Sequence, residues 1–163
     1  RFAAPVGTQS GVDPSPAMLV HAAARGIQVV KGTAENLPFA EGCFDHALVV
    51  TTICFVDSPA VMLNEARRVL KPGGCLVIGF IDRESHLGQG YLLHQAEYVF
   101  YRNATFYSAG EVAELLLATG FSISAWGQTL AHSLPDTRDI EPLRTGWGEC
   151  AFVVVAATRE APL

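Results

Sequence analysis

Apolar residues along this chain fall into short blocks of two alternating kinds. "Ile27-Gln28-Val29-Val30-Lys31", "Phe44-Asp45-His46-Ala47-Leu48-Val49-Val50", "Cys75-Leu76-Val77-Ile78-Gly79-Phe80", "Phe121-Ser122-Ile123-Ser124-Ala125-Trp126" and "Cys150-Ala151-Phe152-Val153-Val154-Val155-Ala156" have the length of strands. "Gln9-Ser10-Gly11-Val12" is a further short strand. Between them lie segments with helical spacing. Residues 16–25 are rich in alanine, carry proline in the first turn and stop at Gly26. Residues 58–70 place Val61, Met62, Ala66 and Val69 on one face, with Ser58 or Asp57 as cap and "Lys71-Pro72-Gly73-Gly74" as stop. Residues 88–101 and 108–119 complete the predicted helices. The near-continuous apolar run at 44–50 predicts a strand buried on both faces. With no internal repeat and no linker, the alternation predicts one α/β domain over residues 1–163, a doubly wound, mostly parallel sheet.

Composition narrows the function. Half of the 163 residues are apolar, which suits a packed sheet. The net charge of −5 is spread along the chain without a Lys/Arg cluster, so a run of nucleic-acid phosphates is not an expected partner. The longest apolar runs fall well short of the roughly 20 residues that a bilayer-spanning helix needs, and no membrane partner is expected. Cys43, Cys54, Cys75 and Cys150 have no Cys-x-x-Cys spacing and read as reduced thiols without metal. The chain starts at Arg1 with no signal-peptide pattern, and the cytoplasm is the expected compartment.

The stretch "SGVDPSPAML" places Asp13 at a strand end just before two prolines. In a doubly wound sheet, ligands bind beyond the carboxyl ends of the strands, and an acid there accepts hydrogen bonds from ribose hydroxyls. Asp13 equally suits the cap of the following helix. A second polar group, "Ile81-Asp82-Arg83-Glu84-Ser85-His86", follows the strand at 75–80, with Asp82 and His86 as candidates for assisting chemistry. A solvated loop without a catalytic role is the competing reading. His21, His46 and His94 show no metal-ligand pattern and read as structural, and His132 is unassigned.

Four segments carry a resemblance. "GVDPSPAML", "GTAENLPF", "FDHALVVTTICFVDSP" and "ARRVLKPGG" occur in the order and spacing seen in class I S-adenosylmethionine-dependent methyltransferases of the small-molecule branch, over roughly residues 1–81. The resemblance implies a Rossmann-like sheet, S-adenosylmethionine as cofactor and a small-molecule methyl acceptor. It also implies roles: Asp13 on the adenosine ribose, Thr33, Ala34 and Glu35 along the adenine edge, and the segment from Thr51 beside the methionine part. Many relatives carry aspartate at the Thr33 position. Here the adenine contact is expected to rest on the backbone of Ala34 and Glu35.

The family's acidic-x-Gly-x-Gly loop and the strand before it do not occur in this chain. An N-terminally truncated fragment is therefore expected, with two unpaired strand edges in mid-sheet. A non-catalytic binding module and a nicotinamide-dependent oxidoreductase are the alternatives. The second lacks a Tyr-x-x-x-Lys pair. The aromatic-rich segment from Tyr91 to Tyr101 is a candidate substrate cover, able to offer an apolar pocket or a cation–π surface, or else plain core. Residues 128–148 form a second long connection. The acceptor's identity and the oligomeric state are not legible.

Overall fold

A computed structural model describes residues 3–133 and 135–161. It holds seven strands and four α-helices in the order β1 (Ser10–Asp13), α1 (Pro16–Ala23), β2 (Gln28–Lys31), β3 (Phe44–Val50), α2 (Pro59–Val69), β4 (Leu70–Ile81), α3 (His86–Leu93), α4 (Ala109–Ala118), β5 (Phe121–Thr129), β6 (Arg144–Thr145) and β7 (Phe152–Arg159). Short 3-10 turns cover Ala4–Val6, Ile53–Phe55 and Gln95–Glu97.

The strands form two sheets. β1 and β2 pair in parallel, from Ser10 opposite Gln28 to Asp13 opposite Lys31. The larger sheet has the order β3-β4-β7-β5-β6. β3 and β4 are parallel, and β7 is antiparallel to both β4 and β5, so β3, β4 and β5 run the same way. This is the α/β Rossmann-like class predicted. β1 and β3 are not hydrogen-bonded to each other. Among the described residues each has a paired strand on one side only.

That one-sided pairing overturns one expectation. β3 is not buried on both faces: Asp45, His46 and Leu48 are exposed, because β3 lies at the border of its sheet and has β4 on one side only. Apolar content alone did not distinguish an edge from a centre. Asp45 holds Lys71, at the start of the neighbouring β4, by an ion pair at 2.8 Å.

The core sits on the larger sheet. Met62, Leu63 and Ala66 of α2 and Val112 and Leu116 of α4 pack with Leu76, Ile78, Phe80, Val153 and Val155. Helix α2 is capped by Ser58 and runs to Val69 as predicted, but its buried face uses Leu63 where Val61 was expected, and Val61 is exposed. The two differ by about 200° around a helix, so a spacing argument with several apolar residues left the face open. Helix α4 begins in a full capping box, with the Ser108 hydroxyl accepting from Glu111 N and Glu111 accepting from Ser108 N.

The predicted helix at 88–101 is shorter and earlier. α3 starts at His86, capped by Ser85, and ends at Leu93. The aromatic residues beyond it, Tyr98, Phe100 and Tyr101, lie in turns. Tyr98 and Tyr101 pack into an aromatic cluster while Phe100 is exposed, and that packing overrides helical propensity. Gly88 is required where it stands, since a Cβ there would lie 2.1 Å from the Asp82 carbonyl oxygen. α3 thus presses directly on the turn after β4.

Candidate functional site

The polar candidates all lie at strand ends. Asp13 closes β1 and is partly buried. Its Oδ1 accepts from Ser15 N at 2.8 Å, which makes it a turn-former at the entrance of α1, and Oδ2 has no donor among the described residues. The capping and binding readings therefore coexist, one oxygen serving each. Asp13 O also accepts from Gly32 N at 3.4 Å, which brings the loop after β2 alongside.

That loop is a tight turn closed by Asn36 N donating to Thr33 O at 3.2 Å. Thr33 is exposed, and Ala34 packs against the core. The N–H groups of Ala34 and Glu35 find no acceptor among the described residues. Glu35 reaches across to accept from Asp57 N at 2.8 Å, tying the loop to the segment after β3. A second tie is stronger. Glu65 of α2 accepts from Leu37 N at 2.8 Å and pairs with Arg68 at 2.6 Å, while Arg68 donates to Phe39 O at 2.7 Å and Leu37 O at 3.0 Å. The "NEARRVL" stretch carries the one signal for this in sequence, an acid and an arginine three apart.

The Arg68 hydrogen bond holds the Glu65 carboxyl below its ordinary range. A carboxylate lowered on folding adds stability above its unfolded pKa, about 4.3, and loses it as pH falls through the folded value. Glu65→Gln should therefore melt a few degrees lower than the parent at neutral pH. The gap should close in acid; thermal melts at pH 7 and pH 3.5 read both.

Thr51 follows β3 with φ of 52°, a left-handed conformation that a β-branched residue rarely adopts. Its N–H donates to Gly79 O at 2.8 Å, its hydroxyl to Val50 O at 2.8 Å, and its carbonyl faces the Cys54 thiol at 3.6 Å. Such strain is held in place by the packing beneath it and concentrates at working positions. Thr51, Ile53, Cys54, Phe80, Ile81, Tyr101, Phe106 and Tyr107 enclose an apolar pocket of about 10 Å³, room for about one water.

Around the pocket the aromatic residues form one cluster. Tyr91 meets Tyr98 at 5.1 Å, Tyr101 at 4.7 Å and Phe106 at 5.9 Å, and Phe55 stacks on Tyr101 at 5.9 Å. Burial raises the phenol pKa of Tyr91, Tyr101 and Tyr107 and pushes the Cys54 thiol up to about 11. The cluster was legible as aromatic content near Tyr91–Tyr101. The part played by Cys54, Phe106 and Tyr107 was not, since they belong to neighbouring segments.

Asp82 is buried, with Oδ1 accepting from Glu84 N at 2.9 Å and its carbonyl accepting from the Ser85 hydroxyl at 2.6 Å. It shapes the turn into α3. His86 is exposed at the start of that helix and has no hydrogen-bond partner among the described residues. The two are not brought to the pocket lining. His94 and His132 are surface partners of Glu97 and Glu141, at 3.1 and 3.0 Å, and His21 and His46 are exposed. Glu141 also accepts from Ala131 N at 2.6 Å. The cysteines are unbridged, and among the described residues no group of His, Cys, Asp and Glu is placed to hold a metal. No helix among them is long and apolar enough to cross a membrane.

A free carboxylate oxygen and free N–H groups at the ends of parallel strands are the arrangement with which the Rossmann-like class receives a nucleoside cofactor. Residues 2–78 match the family model for a methyltransferase domain. A solved structure from Thermotoga maritima, a SAM-dependent methyltransferase described as a possible histamine N-methyltransferase, is 47% identical with a TM-score of 0.94, covering 98% of this chain and 76% of that one. An uncharacterized protein of Methanocaldococcus jannaschii is 40% identical over 98% of this chain and 77% of its own length. A demethylmenaquinone methyltransferase of Mycolicibacterium vanbaalenii is 41% identical over 40% of this chain and 29% of its own length. The chain belongs to the S-adenosylmethionine-dependent methyltransferases.

The residues present fit that cofactor. Asp13 keeps one carboxylate oxygen open, and the turn at Thr33–Glu35 offers two unused N–H groups.

Proposed function

We propose that this protein transfers the methyl group of S-adenosylmethionine to a small-molecule acceptor seated in the pocket beside Thr51. The observation that carries this is the pocket itself: an apolar and aromatic recess at the carboxyl ends of β3 and β4, next to a strained Thr51. Bound S-adenosylmethionine supplies a methyl on a sulfonium sulfur, ready for in-line displacement. The protein's part is alignment. Asp13 Oδ2 would accept from a ribose hydroxyl, and the Ala34 and Glu35 N–H groups would meet the adenine edge. Thr51 would border the methionine part, and the aromatic wall would exclude water and hold the acceptor's apolar body. A single domain over residues 1–163, acting in the cytoplasm, belongs to the same reading. The Thermotoga and demethylmenaquinone relatives support an acceptor of small size, one an amine and the other a ring.

Two measurements test it. S-adenosylhomocysteine should raise the Tm and NAD should not, because only a ligand that prefers the native state stabilises it. A tritiated-methyl assay against histamine, a menadiol and a short protein substrate should label a small molecule. Label in the protein alone would overturn the acceptor class.

A further inference from the structure

The pocket beside Thr51 has room for about one water, about 10 Å³, and any organic acceptor needs several times that. One wall must therefore yield. Phe80 and Ile81 are fixed in β4, and Ile53 is part of the main core, 1% exposed. Phe106 and Tyr107 directly precede the capping box of α4. Tyr101 alone stands on a segment bonded largely to itself: Tyr101 N and Arg102 N donate to Tyr98 O, and Ala104 N donates to Tyr101 O. The Gln95 carboxamide completes the ring. Its nitrogen donates to Tyr101 O at 2.8 Å and to Ala104 O at 2.6 Å, using both hydrogens on the two ends of the turn that carries Tyr101.

We propose that Gln95 is a positioning residue that holds Tyr101 as the outer wall of this pocket, and that residues 95–104 swing away as one tied flap to admit the acceptor. The inference rests on the pocket being the acceptor's place. The flap is held to the rest of the protein by one backbone bond just beyond it, Thr105 N donating to Cys54 O at 2.8 Å, and by apolar contacts: the Tyr101 ring stacks on Phe55 and lies tilted against Tyr91 and Phe106, Tyr98 meets Tyr91 edge-on, and Ala104 packs with Cys54 and Phe106. Its outer residues Val99 and Phe100 are 70% and 85% exposed, so nothing among the described residues pins it from outside. Gln95 thus decides whether the flap moves as a body or frays.

Cys54 reports the state of this wall because its thiol lines the same pocket. Burial keeps it protonated, and a protonated thiol alkylates slowly. Cys150, 3% exposed and far along the chain beside Gln128, is an internal control for loss of the whole fold. The experiment is iodoacetamide labelling of the full chain at pH 8, with the rate at each cysteine read by peptide mass. Gln95→Leu, which removes both donors, should speed Cys54 labelling at least tenfold and leave Cys150 unchanged. Gln95→Glu, which sets a carboxylate against the same two carbonyls, should do the same and serves if the leucine variant does not fold. Cys54 as protected as in the parent, or Cys54 and Cys150 accelerating together, would overturn the role of Gln95. This readout needs no acceptor, so a failed acceptor assay and a failed flap are separate results.

Discussion

Asp13→Ala should weaken S-adenosylhomocysteine binding by about 1.5–3 kcal/mol, roughly tenfold to a hundredfold, the usual loss when hydrogen bonds to a charged group are removed. Oδ1 is already engaged by Ser15 N, so the open Oδ2 is the ligand's share. Asp13→Asn separates the two functions. The amide keeps an acceptor for Ser15 N but turns a donor toward the ribose, and it should retain the thermal stability of the parent while losing most of the affinity. Calorimetry checks the affinities and thermal melts check the fold. Unchanged affinity in both variants would leave Asp13 as a turn-former only.

The second large effect concerns the ties between the two sheets. Replacing Glu35 and Arg68 together by alanine should weaken S-adenosylhomocysteine binding at least tenfold against the parent chain. Asp13 sits in the two-stranded sheet and Thr51 just past the end of β3 in the five-stranded one, and no ladder hydrogen bond joins the two sheets. The loops do part of that work: Glu35 grips Asp57 N, and Arg68 grips the carbonyls of Leu37 and Phe39. Side-chain ties of this kind hold a distance less firmly than a paired strand. Parallel titrations of parent and variant by calorimetry decide it, and equal affinity in both would show those ties to be dispensable.

What the sequence made legible were features with a local cause. The cap at Ser58, the stop at Gly26, where φ is 79°, and the strand blocks are properties of a few adjacent residues. The position of Asp13 at a strand end was equally local. Pairing partners were not. The run at 44–50 looked central because it is apolar, yet burial depends on what lies beside it, and β3 has one neighbour. The segment 88–101 has helical spacing, but Tyr98 and Tyr101 turn inward to meet Tyr91 and Phe106, a contact no periodicity encodes. In the site, the tie from Glu65 and Arg68 to a loop 28–31 residues away and the Gln95 clasp are long-range or backbone-directed, and they appear only once the chain is folded.

The strand order carries a consequence for how the protein is made. β7, the last strand among the described residues, lies between β4 and β5 and pairs residues 75–81 with 152–158. During synthesis the larger sheet therefore has no middle until residues 152–159 leave the ribosome, and β4 and β5 wait with apolar faces unsealed. Contacts between such distant segments close slowly, and waiting edges invite pairing with other chains. The β1-α1-β2 unit, built from neighbours in sequence, faces no such delay. Assembly of the larger sheet is governed by β7, and a chain stopped before Phe152 would hold most of the core residues and none of the strand that joins them.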